Sequence, residues 1–141
     1  MKMKLERVAI NVKNLDEAKK FFSDLLNTTF EDLCDSSLMK VTPTPPEAFK
    51  RRSALSPIGI ELYETDPPVE KEGVRNITWR VDNMEEAKEW HKKRGIRQIR
   101  EIKVGTFTSA VFSPDDVYGV RWAVEEYHGK TVREAQLKQS K

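Results

Sequence analysis

The chain has 141 residues, 25 basic and 23 acidic, which leaves a formal net charge of +2. That length sets an expectation of one domain, and six Phe, three Trp and three Tyr within 38% hydrophobic residues supply a core, which excludes wholesale disorder. A single cysteine, Cys34, excludes an internal disulfide and fits a reducing compartment.

The start, Met1-Lys2-Met3-Lys4-Leu5-Glu6-Arg7, is positive but leads into no apolar signal core. No apolar run approaches the ~20 residues of a membrane span. The expectation is a cytoplasmic protein with no membrane partner. A balance this close to neutral gives no reason to expect nucleic acid.

In the first strand, Val8, Ile10 and Val12 alternate with Arg7, Ala9 and Asn11, a period of two with one apolar face. Asn14 then stands where an N-cap would, since its side chain can accept from free helix N–H groups. Leu15, Ala18, Phe22 and Leu25 follow at helical spacing. Strand-like runs come next, roughly Phe30–Val41 and Ile58–Glu64. Between them Val41 to Pro57 holds four of the seven prolines, and proline cannot donate to a ladder, so this stretch reads as a loop or short helix. Its basic run Phe49-Lys50-Arg51-Arg52 reads as a solvated loop, or as a lid carrying positive charge over a cleft.

Sliding the sequence by 69 positions lays Arg7–Phe21 on Asn76–Trp90 with five of 15 positions identical, namely Val12/Val81, Asn14/Asn83, Glu17/Glu86, Ala18/Ala87 and Lys19/Lys88. Self-similarity at a fixed offset means one supersecondary unit used again. In the second copy Ile77, Trp79 and Val81 alternate with Asn76, Thr78 and Arg80. Asn83 repeats the N-cap, Met84, Ala87 and Trp90 or His91 repeat the helix, and Gly95 stops it. Lys92-Lys93-Arg94 suit the negative end of the helix dipole. Runs at Gln98–Val104, Thr106–Phe112 and Val120–Tyr127 complete the half. Trp79, Trp90 and Trp122 fall at apolar phases and read as core, and Cys34 reads as a passenger. The organisation is therefore half one over 1–66, a link over 67–73, half two over 74–128 and a polar tail over 129–141, which is either a helix from Thr131 or frayed.

The pieces LERVAINVKNLDEAKKFFSDLL, IGIELYE, GVRNITWRVDNMEEAKEW and GVRWAVEEY, in that order and duplicated, resemble the vicinal oxygen chelate superfamily. Glyoxalase I, bleomycin-resistance proteins, methylmalonyl-CoA epimerase and extradiol dioxygenases are members. The resemblance implies an α+β fold in which two tandem βαβββ repeats form a curved mixed sheet around a cleft. It also implies a homodimer. In the metal enzymes of that superfamily the cleft holds one divalent ion, and its four ligand positions fall here on Arg7, Glu61, Asn76 and Ala123. Of the family's ligand types only Glu61 survives, and three protein ligands are the usual need of a catalytic ion, so the expectation is no metal and no cofactor. The turn Pro114-Asp115-Asp116-Val117-Tyr118-Gly119 is longer than the family's, so a shifted register could bring Glu125 beside Glu61 in an oxygen-only site for a hard cation.

If the polar face of each strand lines the cleft, it presents Arg7, Ala9, Asn11, Gly59, Glu61, Tyr63, Asn76, Thr78, Arg80, Arg121, Ala123 and Glu125. Two readings stand. In one, Arg7 and Glu61 pair, the guanidinium replacing the metal, and no ligand is needed. In the other, Arg7, Arg80 and Arg121 receive an anionic small molecule that Asn76 and Tyr63 orient. The leading functional reading is a metal-independent small-molecule-binding protein of the bleomycin-resistance type. The alternatives are a metal-dependent lyase, isomerase or dioxygenase using Glu61, the best catalytic candidate, or a shifted Glu125, or an interaction module with an empty cleft.

Overall fold

A computed structural model describes residues 1–34, 36–44 and 50–137. Nine strands form one mixed sheet: β1 (Met3–Asn11), β2 (Glu31–Asp32), β3 (Lys40–Thr42), β4 (Lys50–Leu55), β5 (Ile60–Asp66), β6 (Gly73–Val81), β7 (Gln98–Val104), β8 (Phe107–Phe112) and β9 (Trp122–Glu126). Among the described residues three α-helices accompany them: α1 (Leu15–Leu26), α2 (Met84–Lys92) and α3 (Val132–Leu137). Strand order is β2-β4-β5-β1-β6-β9-β8-β7-β3.

The duplication is visible in the pairing. β1 runs parallel to β5 and β6 runs parallel to β9, while β1 and β6 join the halves antiparallel at the centre. The edge strands β2 and β3 are consecutive in the chain, with β2 on β4 of the first half and β3 on β7 of the second. One connection therefore spans from edge to edge, and the sheet curls around a cleft. This is the curved mixed sheet of two βαβββ units implied by the sequence resemblance.

Each repeat buries its helix in the same way. Asn14 Oδ1 accepts from Glu17 N–H and Asn83 Oδ1 from Glu86 N–H, both at 3.0 Å, fixing the start of α1 and α2. Val12, Leu15, Ala54 and Leu62 form the first core, with Ile10, Ala18 and Phe22 packed on it. Val81, Met84, Ala87, Ala110, Phe112 and Val124 form the second. A third cluster, Cys34, Val104, Phe107, Tyr127, Val132 and Ala135, lies under α3.

Several expectations need correction. The proline-rich stretch contains a full strand: KRRSAL is β4, paired with β5 on one side and β2 on the other. Its prolines lie outside the strand, and its charges suggested solvent because a strand whose side chains face a shared polar cavity looks, by composition, like an exposed one. The basic run Lys50-Arg51-Arg52 is thus strand rather than loop, with Lys50 exposed, while Phe49 lies outside the described residues. Trp90 is exposed and covered by Arg94, whose guanidinium lies 3.5 Å from its ring centroid, because Met84, Ala87 and His91 hold the buried stripe of α2. Leu25, expected on the buried face of α1, is exposed as well.

Gly59 carries the turn between β4 and β5 at φ +90°, and a Cβ there would meet the Glu6 carbonyl oxygen at 2.9 Å. Gly59→Ala therefore combines a left-handed backbone with a backbone clash. A loss of about 2 kcal/mol or more in urea unfolding is expected; an unchanged midpoint would refute this account of the turn.

Candidate functional site

The centre of the cleft is built where β1 meets β5, β6 and β9. Arg7 on β1 is buried, as are Glu61 on β5 and Glu125 on β9. Arg7 Nε donates to Glu61 Oε1 at 3.1 Å and Arg7 Nη1 donates to Glu125 Oε1 at 2.5 Å. The guanidinium thus bridges two carboxylates brought in from opposite halves. Burial alone would make Arg7 easier to deprotonate, but the flanking carboxylates outweigh it and raise its pKa. Glu125 is pushed up to about 7, first by burial and against the pull of Arg7. Its Oε2 is buried without a hydrogen-bond partner.

A divalent ion does not fit these side chains. Glu61 and Glu125 do converge, but on a permanent cation that would repel another. The Asn76 amide donates to Thr78 Oγ1 at 2.8 Å, and Ala123 has no donor atom. Among the described residues no group of three or more His, Cys, Asp or Glu could hold a metal. His91 is used in the α2 core: its Nε2 lies 3.2 Å from the Trp122 Nε1–H donor, its ring stacks on Phe112, and burial lowers its pKa.

Outside the Arg7 bridge the cleft opens into a cavity of about 70 Å³, lined among others by Arg51, Tyr63, Arg75, Arg100 and Arg121. These arginines come from β4, β6, β7 and the residue before β9. Arg51 Nη1 donates to Tyr63 Oη at 3.0 Å. The Arg75 guanidinium lies 4.1 Å from the Tyr63 ring centroid and donates to Asn11 Oδ1 at 3.2 Å. The Arg100 Nε is buried without a hydrogen-bond partner. Among the described residues none of the four forms an ion pair. Burial, then repulsion from Arg75, Arg100 and Arg51, brings Arg121 down to about 10, and Arg75 is lowered by burial and by Arg51 and Arg100. Among the described residues Glu61 is the carboxylate in the lining, and it is held by Arg7.

Of the sequence candidates, Arg7, Glu61, Tyr63, Asn76, Thr78 and Arg121 line this cavity, and Ala123 does too. Asn11 lies behind it, supporting Arg75. Glu125 lies beneath Arg7 and is fully buried. Arg80 is turned away: it donates to the Tyr127 carbonyl at 3.1 Å and stacks on the Tyr127 ring at 3.8 Å. It and Arg7 are therefore committed to internal partners, leaving Arg121 alone of the three arginines expected to meet an anion.

Arg51, Arg75 and Arg100 were missed. For Arg75 the reason is a β-bulge: Ala9 pairs with Asn76 and Ile10 with Val74, so Arg75 is the extra residue and shares the cavity with Asn76. No alternation reading contains that. Arg51 and Arg100 left a signal, since Arg51 and Ser53, like Arg100 and Ile102, are two apart on strands and line the same cavity.

The curled sheet, the paired repeats and the central cleft define a class of protein. A sequence profile described as the Glyoxalase/Bleomycin resistance protein/Dioxygenase superfamily matches residues 6–112, and the chain belongs to that superfamily. Methylmalonyl-CoA epimerase from Mycobacterium tuberculosis is similar in structure, with a TM-score of 0.66 and 16% identity over 89% of each chain. A hypothetical protein from Bacillus halodurans gives a TM-score of 0.67 and 19% identity over 93% of this chain and 99% of that one. A Streptomyces coelicolor methylmalonyl-CoA epimerase variant in complex with 2-nitronate-propionyl-CoA gives 0.65 and 14% identity over 87% and 93%. At such identities the likeness is one of fold. A search of curated protein sequences finds no match. Among the described residues no helix is long and apolar enough to cross a membrane.

Proposed function

We propose that this chain binds a small anionic molecule in the cleft between its two halves, without a metal ion. The observation that carries the reading is the group Arg51, Arg75, Arg100 and Arg121 around one cavity, with no acidic partner of their own among the described residues. Like charges held together cost stability, and a concave site with convergent polar groups is where a ligand offsets that cost. The Arg7 bridge supports the metal-free part, because it fills the space between the two carboxylates that could have served a cation.

Thermal unfolding against a panel of metabolites, with and without chelator, tests this. Anionic compounds raise the melting temperature, and chelator leaves the rise unchanged. Elemental analysis showing one tightly held divalent ion per chain, or a panel in which only neutral compounds stabilise, would overturn the reading.

A further inference from the structure

We infer that the ligand carries a multiply charged oxyanion head, with two or more negative charges, seated among Arg51, Arg75, Arg100 and Arg121, and a small neutral body against the floor. This deepens the proposed function and rests on it. The charge count is the first argument. Six arginines line the cavity: Arg7, Arg51, Arg52, Arg75, Arg100 and Arg121. Arg7 is neutralised by Glu61 and Glu125, and Arg52 by Glu64 with Asp16 nearby. Among the described residues four cations remain without an acidic partner, and a single negative charge would leave most of their repulsion in place.

Geometry is the second argument. The four come from β4, β6, β7 and the residue before β9, and so from both halves, so a head group among them is approached from several sides, as planar guanidinium forks approach phosphate or carboxylate oxygens. Tyr63 holds two of them in position, accepting from Arg51 and stacking under Arg75. Arg100 keeps a buried Nε–H without a partner, a donor a ligand oxygen would satisfy. All four are half-buried, and half-burial strengthens an ion pair relative to open solvent.

The floor differs in chemistry. Ser53, Thr78 and Ser109 are buried there beside Phe107, Val111 and Ala123. Hydroxyls and apolar surface accept a neutral body and no second charge. Two sources supply such a head: a phosphate or phosphonate group, or a pair of neighbouring carboxylates. Both share dense negative charge on oxygen.

The experiment uses the full chain and titrates inorganic phosphate, succinate and acetate at matched ionic strength, following heat of binding and melting temperature. Phosphate, succinate or both bind and stabilise, with affinity falling as salt rises, while acetate does not at equal concentration. Which dianion binds more tightly separates the two sources. Arg121→Gln weakens that binding about tenfold or more and leaves the ligand-free melting temperature unchanged or higher, because it relieves repulsion. Arg94→Gln, an equal change of charge at exposed Trp90, leaves binding intact. Acetate binding as well as the dianions would overturn the charge count while the anionic reading stands. Stabilisation by none of the three anions, alongside stabilisation by a neutral compound in the metabolite panel, would remove both. Arg121→Gln that lowers the melting temperature but keeps dianion affinity would give that arginine a structural role and overturn the assignment.

Discussion

Arg7→Met lowers stability at pH 8 by about 3–5 kcal/mol, the cost of leaving buried charge without its partner. The substitution keeps roughly the volume of the side chain but strands Glu61 and Glu125, both buried in the centre of the sheet. The loss depends on pH in a stated direction. Glu125 in the wild type titrates near 7, above the usual 4.5, because burial disfavours its charge. A folded-state value raised above the unfolded one favours folding fully below about 4.5, and that contribution is lost as pH rises through about 7. Without Arg7 the upward push is greater, so Arg7→Met regains stability on acidification more strongly than wild type. Urea denaturation at pH 5.5 and 8 measures this, and adding Glu125→Gln to Arg7→Met shrinks the difference. Equal stability of Arg7→Met and wild type at pH 8 would show that the bridge is dispensable.

The second large effect is at the C-terminus. Ending the chain at Gly129 removes α3 and costs about 3 kcal/mol, from one buried Val, one buried Ala and the hydrogen bonds the segment makes. Val132 and Ala135 pack on Cys34, Val104, Phe107 and Tyr127. The Ala135 carbonyl accepts from Thr106 N–H at 3.0 Å, Gln136 Oε1 from Cys34 N–H at 3.3 Å, and Arg133 Nε donates to the Asp32 carbonyl at 3.1 Å. These bonds tie the segment after β2 to the β7–β8 turn, so α3 bridges elements near the two edges of the curled sheet. Gln136 also lines the cavity, and its loss opens one wall. Guanidinium melts of the shortened chain give the comparison, and an unaltered midpoint would mean that the helix only decorates the surface.

The cleft architecture was legible because its signals are local. Period-two alternation placed β1, β5, β6 and β9, paired Asn caps placed α1 and α2, and an offset of 69 residues showed that the two were copies. The tail was a different case. VREAQL reads as polar by composition, but Val132 and Ala135 lie one turn apart and face a cluster assembled from three distant segments.

From the sequence by itself came the duplication and the shared face of Arg7 and Glu61, which follow from residue type and strand phase, while the cleft fold and the loss of the metal donors came from the resemblance its motifs carry. Only the tertiary structure decided that Glu125 joins Arg7 from beneath, that Arg80 leaves the cleft, and that Arg51, Arg75 and Arg100 enter it. The reason is that a side chain's face is set by period within one strand, whereas bulges, ladder partners and sheet curl are set by neighbours far away in the chain. Charge that looked solvated in β4 became the wall of a cavity once β2 and β5 closed on either side of it.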